Sequence, residues 1–184
     1  MSWRNAKAVL AVLVGTGAVI AVPATVNALI SDDVTLMDGR PVDVGVGVGV
    51  TLSPPAGSRL SLSDSVPAIS TVLLRHEGAT LEVTAVSGVD RPADFLAHAR
   101  RKLRREGMFT VRLRPVVTRA GVLGERGDLV PVPGGVGVSG CYAGFVADER
   151  GIVVKISNVS ECRAVPPLVW VAVESITVAP EEEW

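Results

Sequence analysis

The residues of this 184-residue chain whose types could do chemistry are two histidines, two cysteines and a dense run of glycines. The glycine run comes first, at 44–50, as V-G-V-G-V-G-V. A glycine-rich turn between a strand and a helix can cradle phosphate with its backbone N–H groups. The dinucleotide fingerprint G-x-G-x-x-G, started at Gly45, needs glycine at position 50, which is Val50. A P-loop needs a Gly-Lys-Ser/Thr ending, and no lysine is near. The residues that follow, Thr51-Leu52-Ser53-Pro54-Pro55, do not begin a helix smoothly. The run therefore reads as a strand, with Val44, Val46, Val48, Val50 and Leu52 on one face and bare glycine backbone on the other.

The other chemical candidates are equally sparse. Gly137-Val138-Ser139-Gly140-Cys141 lacks the last glycine of G-x-S-x-G and enters a strand where that motif needs a helix. His76 falls near a hairpin turn and His98 on a polar helix face, the ordinary places of surface or half-buried histidines. Two histidines and two distant cysteines make no zinc pattern, and Cys141 and Cys162 are too far apart for a C-x-x-C redox centre. These residues predict no catalytic, cofactor-binding or metal-binding site, and the expected protein is not an enzyme. Asn158-Val159-Ser160 matches a glycosylation acceptor, a triplet short enough to arise by chance.

The motif with most functional content is "RRKLRR". Arg100, Arg101, Lys102, Arg104 and Arg105 crowd the end of a helix expected over 92–106. Two readings stand. The cations form a solvated face well placed at the negative end of the helix, or they form a patch for anionic lipid, cell-wall polymer or an acidic envelope partner. Arg112 and Arg114 on the next strand are placed to extend that patch. The formal net charge is −1 and the aromatics are scattered, so neither general charge nor a stacking platform points to nucleic acid.

The elements around these residues begin with an uncharged stretch, 8–30, that contributes to a mean hydropathy of +0.41. As a helix it would span roughly 35 Å, enough to cross a bilayer core. Arg4 and Lys7 precede it and Asp32, Asp33 and Asp38 follow, which places the amino terminus (1–7) in the cytoplasm and the rest outside. An uncleaved signal-anchor is the main expectation, and cleavage near Ala28 to release a secreted chain is the other. A linker is expected over 31–43, one exported domain of ordinary size over 44–178, and an acidic tail over 179–184. Both cysteines fall in the exported part, where an even number suggests a Cys141–Cys162 disulfide.

Within the domain, alternation predicts strands at 71–75, 79–86, 109–118 and 128–132. In the predicted helix Phe95, Leu96, Ala99 and Leu103 form an apolar stripe, Pro92 suits the first turn and Gly107 the end. The turn 148–151 predicts a hairpin in which paired positions sum to about 299, so that Cys141 faces position 158. The stretch 166–178 reads either as a strand, from its β-branched residues, or as a short helix begun by Pro166-Pro167.

These features together resemble the PsbP/LpqN-like envelope domains of actinobacteria. The resemblance covers about 42–178: a glycine-rich first strand running into "TLSPPAG", a strand pair, the helix "DFLAHARRKLRRE", then "TRAGVLGERGDL", a "GCYAGFV" strand and a terminal "ESITV". It departs from the family at Ser58, where relatives often carry tryptophan, and in having no lipidation cysteine. It implies an α+β fold, an antiparallel sheet with packed helices in an α/β sandwich, with 166–174 as a helix. It also implies a non-catalytic module, and no catalytic residue carries over. The expected function is a membrane-anchored extracytoplasmic accessory or interaction protein of the bacterial cell envelope. The alternative is a carrier holding a small apolar ligand between sheet and helices, its cavity lined by the bare glycine face.

Overall fold

The computed structural model describes residues 33–36, 40–45, 47–61, 65 and 70–179. The expected membrane segment 8–30, the cytoplasmic stretch before it and residues 180–184 of the acidic tail lie outside the described residues. Among the described residues, no helix is long and apolar enough to cross a membrane.

The strands are β1 (Asp33–Leu36), β2 (Val42–Asp43), β3 (Val50–Leu52), β4 (Ser58–Ser61), β5 (Thr71–His76), β6 (Ala79–Ser87), β7 (Met108–Val117), β8 (Leu123–Pro131), β9 (Gly140–Ala147), β10 (Arg150–Ser157) and β11 (Thr177–Val178). The helices are α1 (Pro92–Arg105) and α2 (Pro167–Glu174), with a short 3-10 turn at Cys162–Ala164. The large sheet is antiparallel, in the order β1-β4-β5-β6-β10-β9-β8-β7, and a small sheet runs β11-β3-β2.

Side-chain alternation divides the large sheet into two unequal faces. On one, Val83, Ala85, Phe145, Ile152, Val154 and Ile156 join α2 (Val169, Ala172, Val173) and the small sheet (Val50, Leu52) in the main core. On the other, α1 covers a thinner cluster of Leu103, Met108, Leu129 and Tyr142. The result is an α+β sandwich, as the resemblance implies.

The fold depends on local chemistry at the connections. Asp148 and Glu149 both have positive φ (46° and 58°), the geometry of a two-residue type I′ turn, which matches the twist of a hairpin. Ala147 therefore pairs with Arg150 and Cys141 with Ile156, not with position 158 as the sequence reading had it. The disulfide still forms, between Cys141 and Cys162, 21 residues apart. On the chain-entropy model a loop of that size contributes about 3 kcal/mol.

Two further sequence expectations are corrected and one open reading is resolved. The glycine run is not a strand over 44–52: Gly45, Gly47 and Gly49 have φ of 86°, 72° and 70°, so the chain loops between β2 and β3 and Val44 N–H donates to Val50 O at 2.8 Å. Glycine alternation mimics a strand period, but glycine also reaches left-handed backbone at no steric cost, and here that freedom decides. The stretch read as a linker, 31–43, contributes β1, paired with β4, and β2, paired with β3. The ambiguous 166–178 is helix and then strand. Pro167 sits in the first turn of α2 and Val169, Ala172 and Val173 line its buried side. Ser175 then ends the helix, its hydroxyl donating to Ala172 O at 2.7 Å and accepting from Ser53 N–H at 2.8 Å.

Candidate functional site

Helix α1 carries the basic motif, so its docking decides what the motif can touch. Pro92 enters the first turn, Asp94 lies there too, and Gly107 (φ 83°) closes the other end. Ala99 and Leu103 are buried, and Phe95 and Leu96 pack over glycines of the sheet. A Cβ at Gly144 would lie 2.7 Å from Leu96 Cδ2 and 2.3 Å from Tyr142 Oη, and one at Gly151 would lie 2.5 Å from the Phe95 ring. Side chains at either position would lift the helix from the sheet.

That docking splits the five cations of the motif. Arg100 turns inward, and its guanidinium donates to Glu125 Oε1. The Tyr142 hydroxyl donates to the same oxygen at 3.2 Å. Arg104 lies 5.2 Å over the Phe109 ring and stays exposed. Arg101, Lys102 and Arg105 are exposed, with no ion-pair partner among the described residues. The carboxylates near Lys102 are already engaged: Glu82 and Glu106 lie 2.6 Å and 3.8 Å from Lys155 Nζ. Beside the helix, Ala97, Arg101, Arg104, Phe109 and Leu113 line an open groove of about 320 Å³. The face combines uncompensated positive charge with an apolar floor, which suits an anionic, amphipathic contact.

Arg112 and Arg114 do not extend this patch. A bulge in β7, where the register shifts between Val111 and Arg114, leaves Arg112 at φ 53° and turns it to the opposite face of the sheet. There Arg112 Nε lies 2.7 Å from Asp128 Oδ2 and Nη2 lies 3.1 Å from Glu161 Oε2.

The glycine loop accepts a cation: Val48 O takes a 2.8 Å hydrogen bond from Nε of the buried Arg150. A carbonyl turned toward a guanidinium is the reverse of a phosphate cradle. Nor does Gly45 offer a bare cavity wall, because a Cβ there would lie 2.3 Å from Ser70 Oγ, and Gly47 is open but faces solvent. Ser58 Oγ lies 3.2 Å from His76 Nδ1, a pairing reminiscent of nucleophile and base. Yet Ser58 is fully buried and its hydroxyl donates to Pro55 O. His98 is exposed, at a cleft between α1, β6 and β10. Among the described residues, no three metal-ligating side chains group together. Sequence reasoning missed Glu125 and Tyr142, which hold Arg100; they lie 25 and 42 positions from it, and nothing local signals the contact.

Burial, reinforced by the charge and hydrogen bond of Glu125 and opposed by Arg100, pushes the Tyr142 hydroxyl well above the ordinary tyrosine value of 10.0. A raised folded value means stability that is intact below about pH 10 and is lost as pH rises toward the folded value. Tyr142 is the only tyrosine, so phenolate absorbance reports it alone. The folded protein should show none at pH 10.5, and unfolding at that pH should release it. An ordinary tyrosine titration in the folded state would contradict the buried contact.

No family model matches the sequence, and no curated protein matches it. Among solved structures, the fold is similar to the solution structure of cyanobacterial PsbP (CyanoP) from Synechocystis sp. PCC 6803. The TM-score is 0.50 at 13% identity, over 77% of this chain and 94% of that one. At that identity the likeness speaks for the fold alone, and the chain has a PsbP-like α+β fold.

Proposed function

We propose that this protein is a membrane-anchored, extracytoplasmic, non-catalytic accessory module of the bacterial cell envelope, and that the outer face of α1 is its contact surface for anionic lipid headgroups. The observation that carries the reading is the set Arg101, Lys102, Arg104 and Arg105, exposed without carboxylate partners among the described residues. The groove beside them supplies apolar surface. The uncharged stretch 8–30 between Arg4/Lys7 and Asp32/Asp33 supports the anchor and its orientation. The resemblance to PsbP/LpqN-like envelope domains supports an accessory role. A carrier role has less behind it: the more enclosed cleft between α1 and the sheet, at β6 and β10, is about 210 Å³, below the ~300–1,000 Å³ common for small-molecule sites. The larger apolar hollow between α1 and β7–β8, about 570 Å³, lies wide open to solvent.

A basic residue near an anionic surface contributes about 1 kcal/mol, so removing three should weaken binding by roughly 100-fold. The full chain in neutral nanodiscs should bind vesicles rich in phosphatidylglycerol, more weakly as salt rises, and Arg101→Gln/Arg104→Gln/Arg105→Gln should lose that binding. Equal binding by the variant would refute the contact surface. A wild-type chain indifferent to such vesicles would leave an acidic envelope protein as the occupant. In host membranes the chain should resist extraction by alkaline carbonate; its release would mean the anchor is absent or cleaved.

A further inference from the structure

The opposite face of the sheet holds a second basic cluster that sequence order conceals. Arg112 and Arg114 of β7, Arg126 of β8 and Arg163 of the 3-10 turn line one cavity of about 150 Å³, with Asp128 and Cys162 in its wall. Independent features bring them together. The β7 bulge delivers Arg112. Register sets Arg114 directly opposite Arg126. The Cys141–Cys162 bond ties the turn bearing Arg163 to β9, and Cys162 N–H donates to Asp128 Oδ1 at 2.7 Å.

Like charges directly opposite across two strands repel, so Arg114 and Arg126 disfavour the pairing they occupy. Arg112 is already neutralised, since it holds both carboxylates in reach, Asp128 and Glu161. Arg126 stacks 4.9 Å over the Trp170 ring, which fixes the guanidinium plane while leaving its N–H edge free. Arg114 and Arg163 are exposed and have no ion-pair partner among the described residues. Four guanidiniums against two carboxylates leave an excess of two positive charges at one small cavity. Its volume is below that of sites for whole small molecules, so it fits a single charged group. Planar guanidiniums bind carboxylate and phosphate through paired hydrogen bonds, and two spare charges favour the dianion.

We infer that the cavity bounded by Arg114, Arg126 and Arg163 is a binding site for a phosphate group, either free phosphate or a phosphomonoester on a larger molecule. Asp128 and Glu161 position the site by holding Arg112 and the Cys162 turn. The site lies across the sheet from α1 and stands independently of the contact surface proposed there.

The test is calorimetric titration of the full chain in neutral detergent with inorganic phosphate, followed also by tryptophan fluorescence. Saturable one-site binding is expected, with a change in emission that Trp170→Phe abolishes. Arg114→Gln/Arg163→Gln should weaken it at least tenfold, whereas Arg101→Gln/Arg105→Gln on α1 should leave it unchanged. Acetate, a monoanion, should bind at least tenfold more weakly than phosphate. Glycerol 3-phosphate separates the sources: tighter binding than inorganic phosphate identifies a phosphomonoester, equal binding the free anion. Should the double glutamine variant fail to fold, Arg163→Lys, which keeps the charge and loses the fork, should still cost several-fold. Absence of saturable phosphate binding, or binding indifferent to Arg114 and Arg163, would overturn the site.

Discussion

The contact on which the functional surface depends is the seating of α1 over two residues that have no side chain. Leu96 and Phe95 occupy the space that a Cβ on Gly144 or Gly151 would claim. Because interiors are packed with little slack, one methyl group there would displace the helix or Tyr142. With α1 at that height, Arg100 reaches Glu125 and shares its carboxylate oxygen with Tyr142. This arrangement fixes the helix's rotation. With Ala99 and Leu103 against the sheet and Arg100 at their flank, Arg101 and Arg105 face out, while Arg104, one turn beyond Arg100 on the same flank, lies over Phe109 and stays exposed.

The two faces of the sheet are built differently. The α2 face holds most of the buried aliphatic side chains and the small sheet, and hydrophobic burial there is the main support of the fold. Its outer edge is shaped by the β7 bulge and the disulfide, which set arginines around a cavity. The α1 face has few fully buried side chains and admits a charged group, Glu125, beneath a helix. Half-burying that carboxylate is acceptable because it accepts from a guanidinium and a phenol. Each face thus carries cations, but in different settings. On α1 they are open to a broad anionic surface; at β7–β8 they are gathered for one small group.

Much of the fold was legible in the chain. Pro92, the apolar stripe and Gly107 located α1 to within a residue of its observed end. Period-two alternation located β5, β6 and β7, and the cysteine count anticipated the disulfide. Signals failed where two states share one pattern. Alternating glycine and valine fits a strand and also a loop, and positive φ at Gly45, Gly47 and Gly49 chose the loop. The β-branched residues of 168–173 suggested a strand and Pro166-Pro167 a helix start, and the family resemblance favoured the helix that forms. The hairpin register differed because the turn is the pair Asp148-Glu149 itself, which moves every partner. The basic cluster was visible as composition, but its division was not. Arg100 is withdrawn by Glu125, and Arg112 and Arg114 are turned away by a bulge with no local signature.

The measurement that most directly tests the contact surface is the reactivity of Lys102 in the full chain, held in anionic and in neutral nanodiscs. Lys102 lies on α1 among the unpaired cations, and Lys155, paired with Glu82, serves as the internal reference. Acetylation followed by mass spectrometry should find Lys102 several-fold slower in the anionic bilayer, with Lys155 unchanged. Equal Lys102 rates in the two bilayers would contradict an α1 face that docks on anionic lipid.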